Sequence, residues 1–242
     1  MCSLSFHPTE GGFHLLMNRD EQRSRPVALP PSMQQCEAVR AFYPREPSGG
    51  TWIGINERGL SIALINWYSR PQLEGPPAFS RGDIIPKLLS AESPRDVEIL
   101  LVGLPLNLLN PFRLVVVSPR ERLVEEFRSN SVSIEKEDFP WERHHWFSSG
   151  FDETEAIRSR AMTCANESEQ PCIDPLTRLR KLHRSHDPEM GPFSICMHRE
   201  EACTVSYTEI TVNESVGTIS YHDRAPCEEQ IQTTYSLPLS HR

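Results

Sequence analysis

The sequence predicts an α+β protein in which strands from both ends of the chain form sheets and helices lie between them. Short runs of strand-forming residues, separated by turn residues, occupy positions 2–68, and similar runs return at positions 193–222. Segments with helical spacing occupy positions 80–104 and 152–185. Because strands and helices fall into separate blocks, the pattern does not favour alternating βαβ units.

The first predicted element is a hairpin that joins residues 2–6 to residues 13–19 across the turn-forming segment HPTEGG. If Pro8 faces Phe13 across a four-residue loop, Cys2 lies opposite Arg19. A two-residue loop would place these two residues diagonally, still on the same face, because side chains alternate with a period of two. Either register brings Cys2 and Arg19 to the same face of the sheet.

A second hairpin is predicted where TWIGI and LSIALINWY flank the turn residues 56–59. Gly59 can take the positive φ that such a turn requires. Pairing Ile55 with Leu60 places Asn66 opposite Gly49. The segment between the two hairpins, residues 22–48, is rich in proline and arginine. It is predicted to cross the surface as an ordered loop that walls a pocket.

Helices and further strands are predicted in the remainder of the chain. Two helices occupy residues 80–104, and the second of them begins at Ser93 and Pro94. Two more helices cover residues 152–167 and 174–185. The remaining strands are PFRLVVVSP, RLVEEFRS, FSICMH, ACTVSYTEITV and TISYHD, followed by a polar tail from about residue 225. One domain spanning residues 1–242 is expected from the length of the chain.

Composition excludes several classes of function. The net charge of −8 is spread over the chain, and no basic run suits a nucleic-acid backbone. No stretch is long and apolar enough to cross a membrane, and no signal peptide is present, so a cytoplasmic protein is expected. The seven cysteines include no Cys-x-x-Cys pair. No metal or organic cofactor is therefore expected.

Cys2 is the first candidate catalytic residue. Removal of Met1 would place the α-amine of Cys2 beside its own thiol, where an amine with a pKa of about 7.7 to 8.0 can act as base. Arg19 could stabilise the thiolate and lower its pKa, and Asp20 could orient the ammonium group. The structural alternative is that Cys2 is a small strand residue and that Arg19 and Asp20 form a solvated strand end.

Other polar and aromatic residues have both a functional and a structural interpretation. Asn66 ends a strand and offers a neutral oxyanion donor, or it caps a turn. Trp52 and Trp67 either line a pocket or belong to the core. His144 and His145 could be metal or haem ligands, but adjacent histidines diverge, and a partly exposed loop is the favoured interpretation.

The motifs of the first 90 residues resemble a known family. The chain start MC, NRDE followed by SRP, GGTWIGIN with RGLSIALINWY, and SRGDIIPKLL are similar to the NRDE family, also called the transport and Golgi organisation 2 family. That family is similar in its N-terminal pattern to N-terminal nucleophile hydrolases of the choloylglycine hydrolase and penicillin acylase type. The resemblance implies a four-layer αββα sandwich.

The resemblance also implies a site and an activity. Cys2 corresponds to the nucleophile, Arg19 to the arginine and Asn66 to the oxyanion donor of such enzymes. Asp20 is the candidate for their aspartate, although it directly follows Arg19, whereas the bile-salt enzymes separate the two residues by two positions. The expected activity is hydrolysis or acyl transfer at a carbon–nitrogen amide bond of a small molecule. The candidate substrate-binding residues are Asn18, Gly50, Trp52 and Trp67.

A second function remains open from the resemblance. Ser149 stands where these enzymes carry a further asparagine, which favours a non-catalytic carrier or trafficking protein. Such a carrier would bind a hydrophobic ligand such as haem in the same cleft. Neither the substrate nor the oligomeric state follows from the sequence.

Overall fold

A computed structural model describes residues 2–75, 77–168, 174–228 and 232–240, so Met1 and Cys172 lie outside the described residues. Its strands are β1 (Cys2–Thr9), β2 (Gly12–Gln22), β3 (Leu29–Cys36), β4 (Val39–Arg45), β5 (Ile53–Asn56), β6 (Ser61–Asn66), β7 (Phe112–Ser118), β8 (Leu123–Ser129), β9 (Ile134–Phe139), β10 (His144–Ser148), β11 (Ala202–Val212), β12 (Val216–His222) and β13 (Thr233–Pro238). Its α-helices are α1 (Ile84–Leu88), α2 (Pro94–Val102), α3 (Glu153–Ser168) and α4 (Pro175–His183). None of these helices is long and apolar enough to span a membrane.

The strands form two antiparallel sheets that pack face to face. The six-stranded sheet has the order β10-β1-β2-β11-β12-β13, and the seven-stranded sheet runs from β3 to β9 in chain order. Apolar residues such as Leu4 and Leu15 of the first sheet share one core cluster with Ile53 and Val115 of the second. Helices α1 and α2 cover the outer face of the seven-stranded sheet, and α4 covers that of the six-stranded sheet together with α3. The predicted four-layer αββα sandwich is confirmed.

The first hairpin has the register that a four-residue loop predicts. Cys2 pairs with Arg19 and Pro8 with Phe13. Side chains alternate along β1, so Cys2 belongs to the core cluster between the sheets, whereas Ser5 contacts His183 of α4. This alternation decides which residues of the NRDE motif can reach the nucleophile.

The second hairpin differs from the prediction by one residue. Ile55 pairs with Ser61, and the main-chain N–H of Asn56 donates to the carbonyl of Leu60 at 3.0 Å. Asn56 also accepts the main-chain N–H of Leu60 through its side-chain oxygen at 3.2 Å. These contacts place Leu60 in the turn, and the strand begins one residue later.

The segment at residues 22–48 contains a hairpin that the sequence analysis assigned to a loop. Strands β3 and β4 pair from Ser32 with Tyr43 to Cys36 with Val39, and the register shifts between Leu29 and Ser32. The sequence PP at positions 30–31 lies at this irregularity. Since β3 is at the edge of its sheet, the missing proline N–H groups interrupt no second ladder. Proline therefore marks an edge strand here.

Three further assignments are corrected at the sheet edges. Strands β9 and β10 were not predicted, and His144 and His145 lie in β10 instead of a loop. Strand β13 occupies part of the predicted polar tail and pairs with β12. The segment FSICMH forms no regular strand, and its only ladder contact is an isolated bridge between His198 and Cys203 among the described residues. The edge strands β9 and β13 carry many polar residues because their outer sides meet solvent.

Candidate active site

A cavity of about 240 Å³ lies at one end of the sandwich, where Cys2 of one sheet and Asn66 of the other line the same space. The start of β1, the end of β2, the approach to β5, the end of β6 and the turn before α1 meet there. The lining residues are Cys2, Arg19, Asp20, Glu21, Arg25, Glu46, Gly50, Thr51, Trp52, Leu64, Asn66, Pro77, Ser80, Arg81, Gly82 and Asn110. Half of the lining residues therefore carry charged or amide side chains.

Cys2 is buried, with 6% of its surface exposed. Burial raises the pKa of the Cys2 thiol, and the negative charge of Asp20 raises it further. Arg19 and a hydrogen bond from the main-chain N–H of Asp20 act in the opposite direction and do not overcome burial. The resting group in this environment is therefore a neutral thiol that needs a base, and a lowered pKa after removal of Met1 stays a prediction.

Arg19 lies on the same face of β2 as the thiol, and its charge is shared among several partners. Its guanidinium carbon lies 4.3 Å from the centre of the Trp52 ring. It donates to Glu46, and Glu21 lies 3.6 Å away. Arg25 contacts the same two carboxylates at 3.4 and 3.5 Å. Arg19 is thus held rigidly at the cavity wall within a charge network.

Asp20 lines the cavity, but its carboxylate is directed to the opposite side of β2 from Arg19. One oxygen accepts the hydroxyl of Thr204 at 2.7 Å, and the other accepts Arg160 at 3.4 Å. Burial raises the pKa of Asp20, and Arg160 partly offsets this effect. The ladder between β2 and β11 is irregular beside Asp20, because the register shifts in β11 between Thr204 and Ser206.

Asn66 ends β6 and faces the cavity with its side chain half-buried. Its amide nitrogen donates one hydrogen bond to the Tyr68 hydroxyl at 2.8 Å. An amide nitrogen carries two N–H groups, so a second donor is available in this group. The bond to Tyr68 fixes the plane of the amide, which is the arrangement an oxyanion donor needs.

Gly50, a predicted substrate-binding residue, contributes main chain to the cavity wall. Its backbone runs against the turn before α1, and the N–H of Thr51 donates to the carbonyl of Gly82 at 2.9 Å. A side chain at Gly50 would place its Cβ atom 3.2 Å from the Gly82 backbone. The close approach of these two segments therefore favours glycine at position 50.

Two of the predicted substrate-binding residues lie away from the cavity. Asn18 faces α4, where its amide donates to the carbonyls of His183 and Ile195 at 2.9 and 3.0 Å. Trp67 is half-buried beyond the end of β6, and the Arg70 guanidinium lies 4.6 Å from its ring. Asn18 does not line the cavity because its side chain lies on the opposite face of β2 from that of Arg19. Trp67 does not line it because the chain turns away from the cavity after Asn66.

Asn18 instead belongs to a buried chain of neutral hydrogen bonds. His183 donates from Nδ1 to Asn18 at 2.9 Å and accepts the hydroxyl of Ser5 at its Nε2, also at 2.9 Å. His145 donates to the same hydroxyl at 2.8 Å. Burial lowers the pKa of His183 and that of His145 to about 3. Both imidazoles are neutral in the native state.

These histidines predict a loss of stability in acid. Between about pH 6 and 4 the unfolded chain binds protons at His183 and His145 that the native state does not, so stability falls with pH. Each histidine contributes about 1.4 kcal/mol per pH unit to this slope. Urea unfolding at several pH values gives the free energy of unfolding of the wild type and of His183→Gln as a function of pH. The slope of this free energy against pH should be smaller in the variant by about 1.4 kcal/mol per pH unit. Equal slopes would contradict the neutral assignment of His183.

Sequence reasoning missed four charged cavity residues, Glu21, Arg25, Glu46 and Arg81. Arg81 lies in the motif SRGDIIPKLL, which gave a signal of family resemblance but no chemical role. It donates to the carbonyl of Pro111 at 2.9 Å. No carboxylate lies within ion-pair distance of Arg81 among the residues that the structure describes, unlike Arg19 and Arg25. Burial lowers the pKa of Arg81, and a thiolate at Cys2 would raise it.

Comparisons with known proteins agree on family and fold. The model of the family described as Transport and Golgi organisation 2 matches residues 1–218. The Transport and Golgi organization protein 2 homolog of Homo sapiens is 33% identical over 103 residues, which are 42% of this chain and 37% of that protein. The chain thus spans little more than a third of the relative's length.

Two solved structures are similar in fold. Penicillin V acylase from Agrobacterium tumefaciens has a TM-score of 0.54 and is 11% identical in sequence. The match covers 92% of this chain and 83% of the acylase chain. The C2A mutant of conjugated bile acid hydrolase from Clostridium perfringens has a TM-score of 0.50 and 12% identity, covering 100% of this chain and 99% of its own. At these identities the likeness concerns the fold.

Proposed function

Because this chain belongs to the Transport and Golgi organisation 2 family and has the fold of N-terminal nucleophile hydrolases, we propose that it cleaves a small amide through the thiol of Cys2. The observation that carries the proposal is the cavity that Cys2, Arg19 and Asn66 line together. The reaction is hydrolysis, or transfer of the acyl group to another acceptor. The remaining residues of the cavity then select the substrate.

The proposed nucleophile acts with its own α-amine as base. Removal of Met1 exposes this amine, which takes the thiol proton as the sulfur attacks the amide carbonyl carbon. The carbon–nitrogen bond breaks, the leaving amine receives that proton, and the acyl group remains on sulfur as a thioester. The amine then deprotonates a water that attacks the thioester, which releases the acid and regenerates the thiol. The raised pKa of buried Cys2 is the reason that a base is needed.

Three neighbours support these steps from fixed positions. Asn66 supplies an N–H for the oxyanion that forms on the carbonyl oxygen, and its bond to Tyr68 holds the amide in place. Arg19 contributes positive charge at the cavity wall, reduced by Glu46 and Glu21. Asp20 lines the same cavity as Cys2 and is fixed by Thr204 and Arg160, and we assign its carboxylate the role of orienting the ammonium form of the Cys2 amine.

Arg81 supports a substrate that carries a carboxylate. It lines the cavity with Cys2, and no carboxylate of the described chain lies within ion-pair distance of it. A guanidinium binds a carboxylate through two parallel hydrogen bonds, which gives both affinity and orientation. An N-acyl amino acid places its carboxylate close to the scissile amide, as Arg81 requires. We therefore propose an anionic amide as the substrate class.

We expect the wild type to turn over an acid faster than the matching neutral carboxamide. The panel contains N-acyl amino acids, penicillin V and conjugated bile acids, each with its carboxamide. Arg81→Gln should raise KM for the acids about tenfold, or about 1.4 kcal/mol of lost binding, and leave KM for the carboxamides unchanged. Steady-state kinetics measures both. Arg70→Gln is the matched control, because Arg70 is exposed and stacks on Trp67 outside the cavity.

The outcomes separate two levels of the proposal. Equal KM values for acid and carboxamide, unchanged in Arg81→Gln, would contradict the anionic substrate and leave amide cleavage in place. Absence of turnover on the whole panel, together with no acyl adduct on Cys2, would contradict amide cleavage itself. The predicted alternative, a carrier for a hydrophobic ligand such as haem, has less support, because the lining is charged.

A further inference from the structure

Two histidines and two cysteines converge at a place remote in sequence from the NRDE motif. His186 follows α4, Cys196 and His198 precede β11, and Cys227 follows β12. One ligand atom from each of the four side chains lies within 4.8 Å of the others. Three separate segments of the chain therefore bring nitrogen and sulfur donors to one point.

The separations suit a tetrahedral metal ion. The sulfur atoms of Cys196 and Cys227 lie 3.6 and 3.4 Å from Nε2 of His198. The rings of His186 and His198 are 5.1 Å apart. Bonds of about 2.3 Å to sulfur and 2.0 Å to nitrogen place tetrahedral ligand atoms roughly 3.3 to 3.8 Å apart. The two sulfur–nitrogen contacts fall in this range, and all four ligand atoms lie within 4.8 Å of one another.

The second observation concerns His186. Its Nε2 atom is buried and has no hydrogen-bond partner among the residues that the structure describes. A buried polar atom without a partner is unfavourable, and such an atom in a native protein calls for an explanation. A bound cation supplies the missing partner. A disulfide between Cys196 and Cys227 would leave both imidazoles unexplained.

We propose that His186, Cys196, His198 and Cys227 form a tetrahedral binding site for a zinc ion. Two thiolates and two imidazoles in a tetrahedron are the donor set that favours zinc over calcium, magnesium or manganese, which prefer oxygen ligands. Because all four positions are filled by protein, the site is structural and leaves no position for a substrate.

The main chain prepares the site before the metal arrives. The N–H of Cys196 donates to the carbonyl of Ser185 at 3.0 Å, and that of His198 donates to the carbonyl of Gly191 at 3.1 Å. These bonds fold the segment at residues 185–198 back on itself and hold three of the ligands together. The zinc ion would then fasten the segment after β12 through Cys227.

Hydrogen bonds link the proposed zinc site to Asp20 of the candidate active site. Met197 lies between two of the ligands, and its N–H donates to the Thr204 hydroxyl at 2.9 Å. That hydroxyl donates to Asp20 at 2.7 Å. Arg160 also bridges the carbonyl of Pro192 and the same carboxylate. Zinc at this point would stabilise the loop that positions Asp20.

The proposal is tested on the full chain after reduction and removal of metal by a chelator. Titration with zinc against a chromophoric chelator should give one bound equivalent. Cobalt in its place should give the absorption of a tetrahedral ion and a thiolate charge-transfer band. Cys227→Ser should lose the bound equivalent, and zinc should raise the melting temperature of the wild type but not of this variant.

Cys36→Ser is the matched control, because it removes one cysteine from β3 in the other sheet. It should keep the bound equivalent and the cobalt spectrum. No zinc binding by the reduced wild type, an octahedral cobalt spectrum, or equal binding by Cys227→Ser would overturn the proposal. The cobalt spectrum of the wild type decides the matter even where a variant fails to fold.

Discussion

Replacement of Cys2 by alanine is expected to abolish turnover of every amide that the wild type cleaves. The thiol is the group that forms the thioester, and no second thiol lines the cavity among the described residues. Loss of a nucleophile in an enzyme of covalent mechanism lowers kcat by a factor on the order of 10⁶. Steady-state assays on the best substrate of the panel measure this loss.

Two variants make the result for Cys2→Ala specific. Cys36→Ser removes a buried cysteine far from the cavity and should keep wild-type kcat. Asn66→Ala removes one oxyanion donor and should be slower by about 10² to 10³ while still measurable. Wild-type turnover by Cys2→Ala would contradict the mechanism. Binding of a hydrophobic ligand that survives Cys2→Ala, without any amide turnover, is the pattern of the carrier.

The second large effect concerns Arg160, a residue of α3 whose side chain is fully buried. It donates to Ser3 at 3.2 Å and to the carbonyls of Ser148 and Pro192 at 3.4 Å, and it pairs with buried Asp20. Arg160→Met would leave the carboxylate without its cation. Removal of one partner from a buried ion pair destabilises a protein by about 3 to 5 kcal/mol. Urea unfolding at neutral pH should show a loss of this size.

The pH dependence identifies the cause of that loss. Burial raises the pKa of Asp20 above its ordinary value of 3.8, and loss of Arg160 removes the largest opposing effect. A raised native pKa means that the native state binds the proton more readily than the unfolded chain. The loss of unfolding free energy in Arg160→Met, relative to the wild type, should therefore become smaller as the pH falls. A double variant, Asp20→Asn with Arg160→Met, should recover part of the stability at neutral pH. A deficit independent of pH, unrecovered in the double variant, would contradict this account.

The parts of the fold that follow from local rules could be predicted from the sequence. The turn HPTEGG and the period of two fix Cys2 opposite Arg19. Ser93 accepts the N–H of Asp96 and Pro94 follows it, so α2 begins where capping rules place it. The edge strands could not be predicted in this way. Strand β3 carries prolines and β9 carries charges, because one side of an edge strand has no ladder to complete.

The site residues on the first strands could be predicted from the sequence, whereas those supplied by helices and loops could not. The period of two already separates Asn18 from Arg19, so the opposite orientation of Asn18 follows from the sequence. Arg160 lies in a helix of ordinary amphipathic composition, and only the tertiary fold shows that its side chain reaches Asp20. His186, Cys196, His198 and Cys227 have no metal-motif spacing, because three segments supply them.

The most direct test of the account is mass spectrometry of the wild type, acid-quenched during turnover of the best N-acyl amino acid. We expect a chain that begins at Cys2 and carries one acyl group as a thioester, which peptide mapping places on Cys2. A chain that retains Met1 while turnover proceeds, or an acyl group on another residue with Cys2 unmodified, would contradict the claim that Cys2 is the nucleophile and its own amine the base.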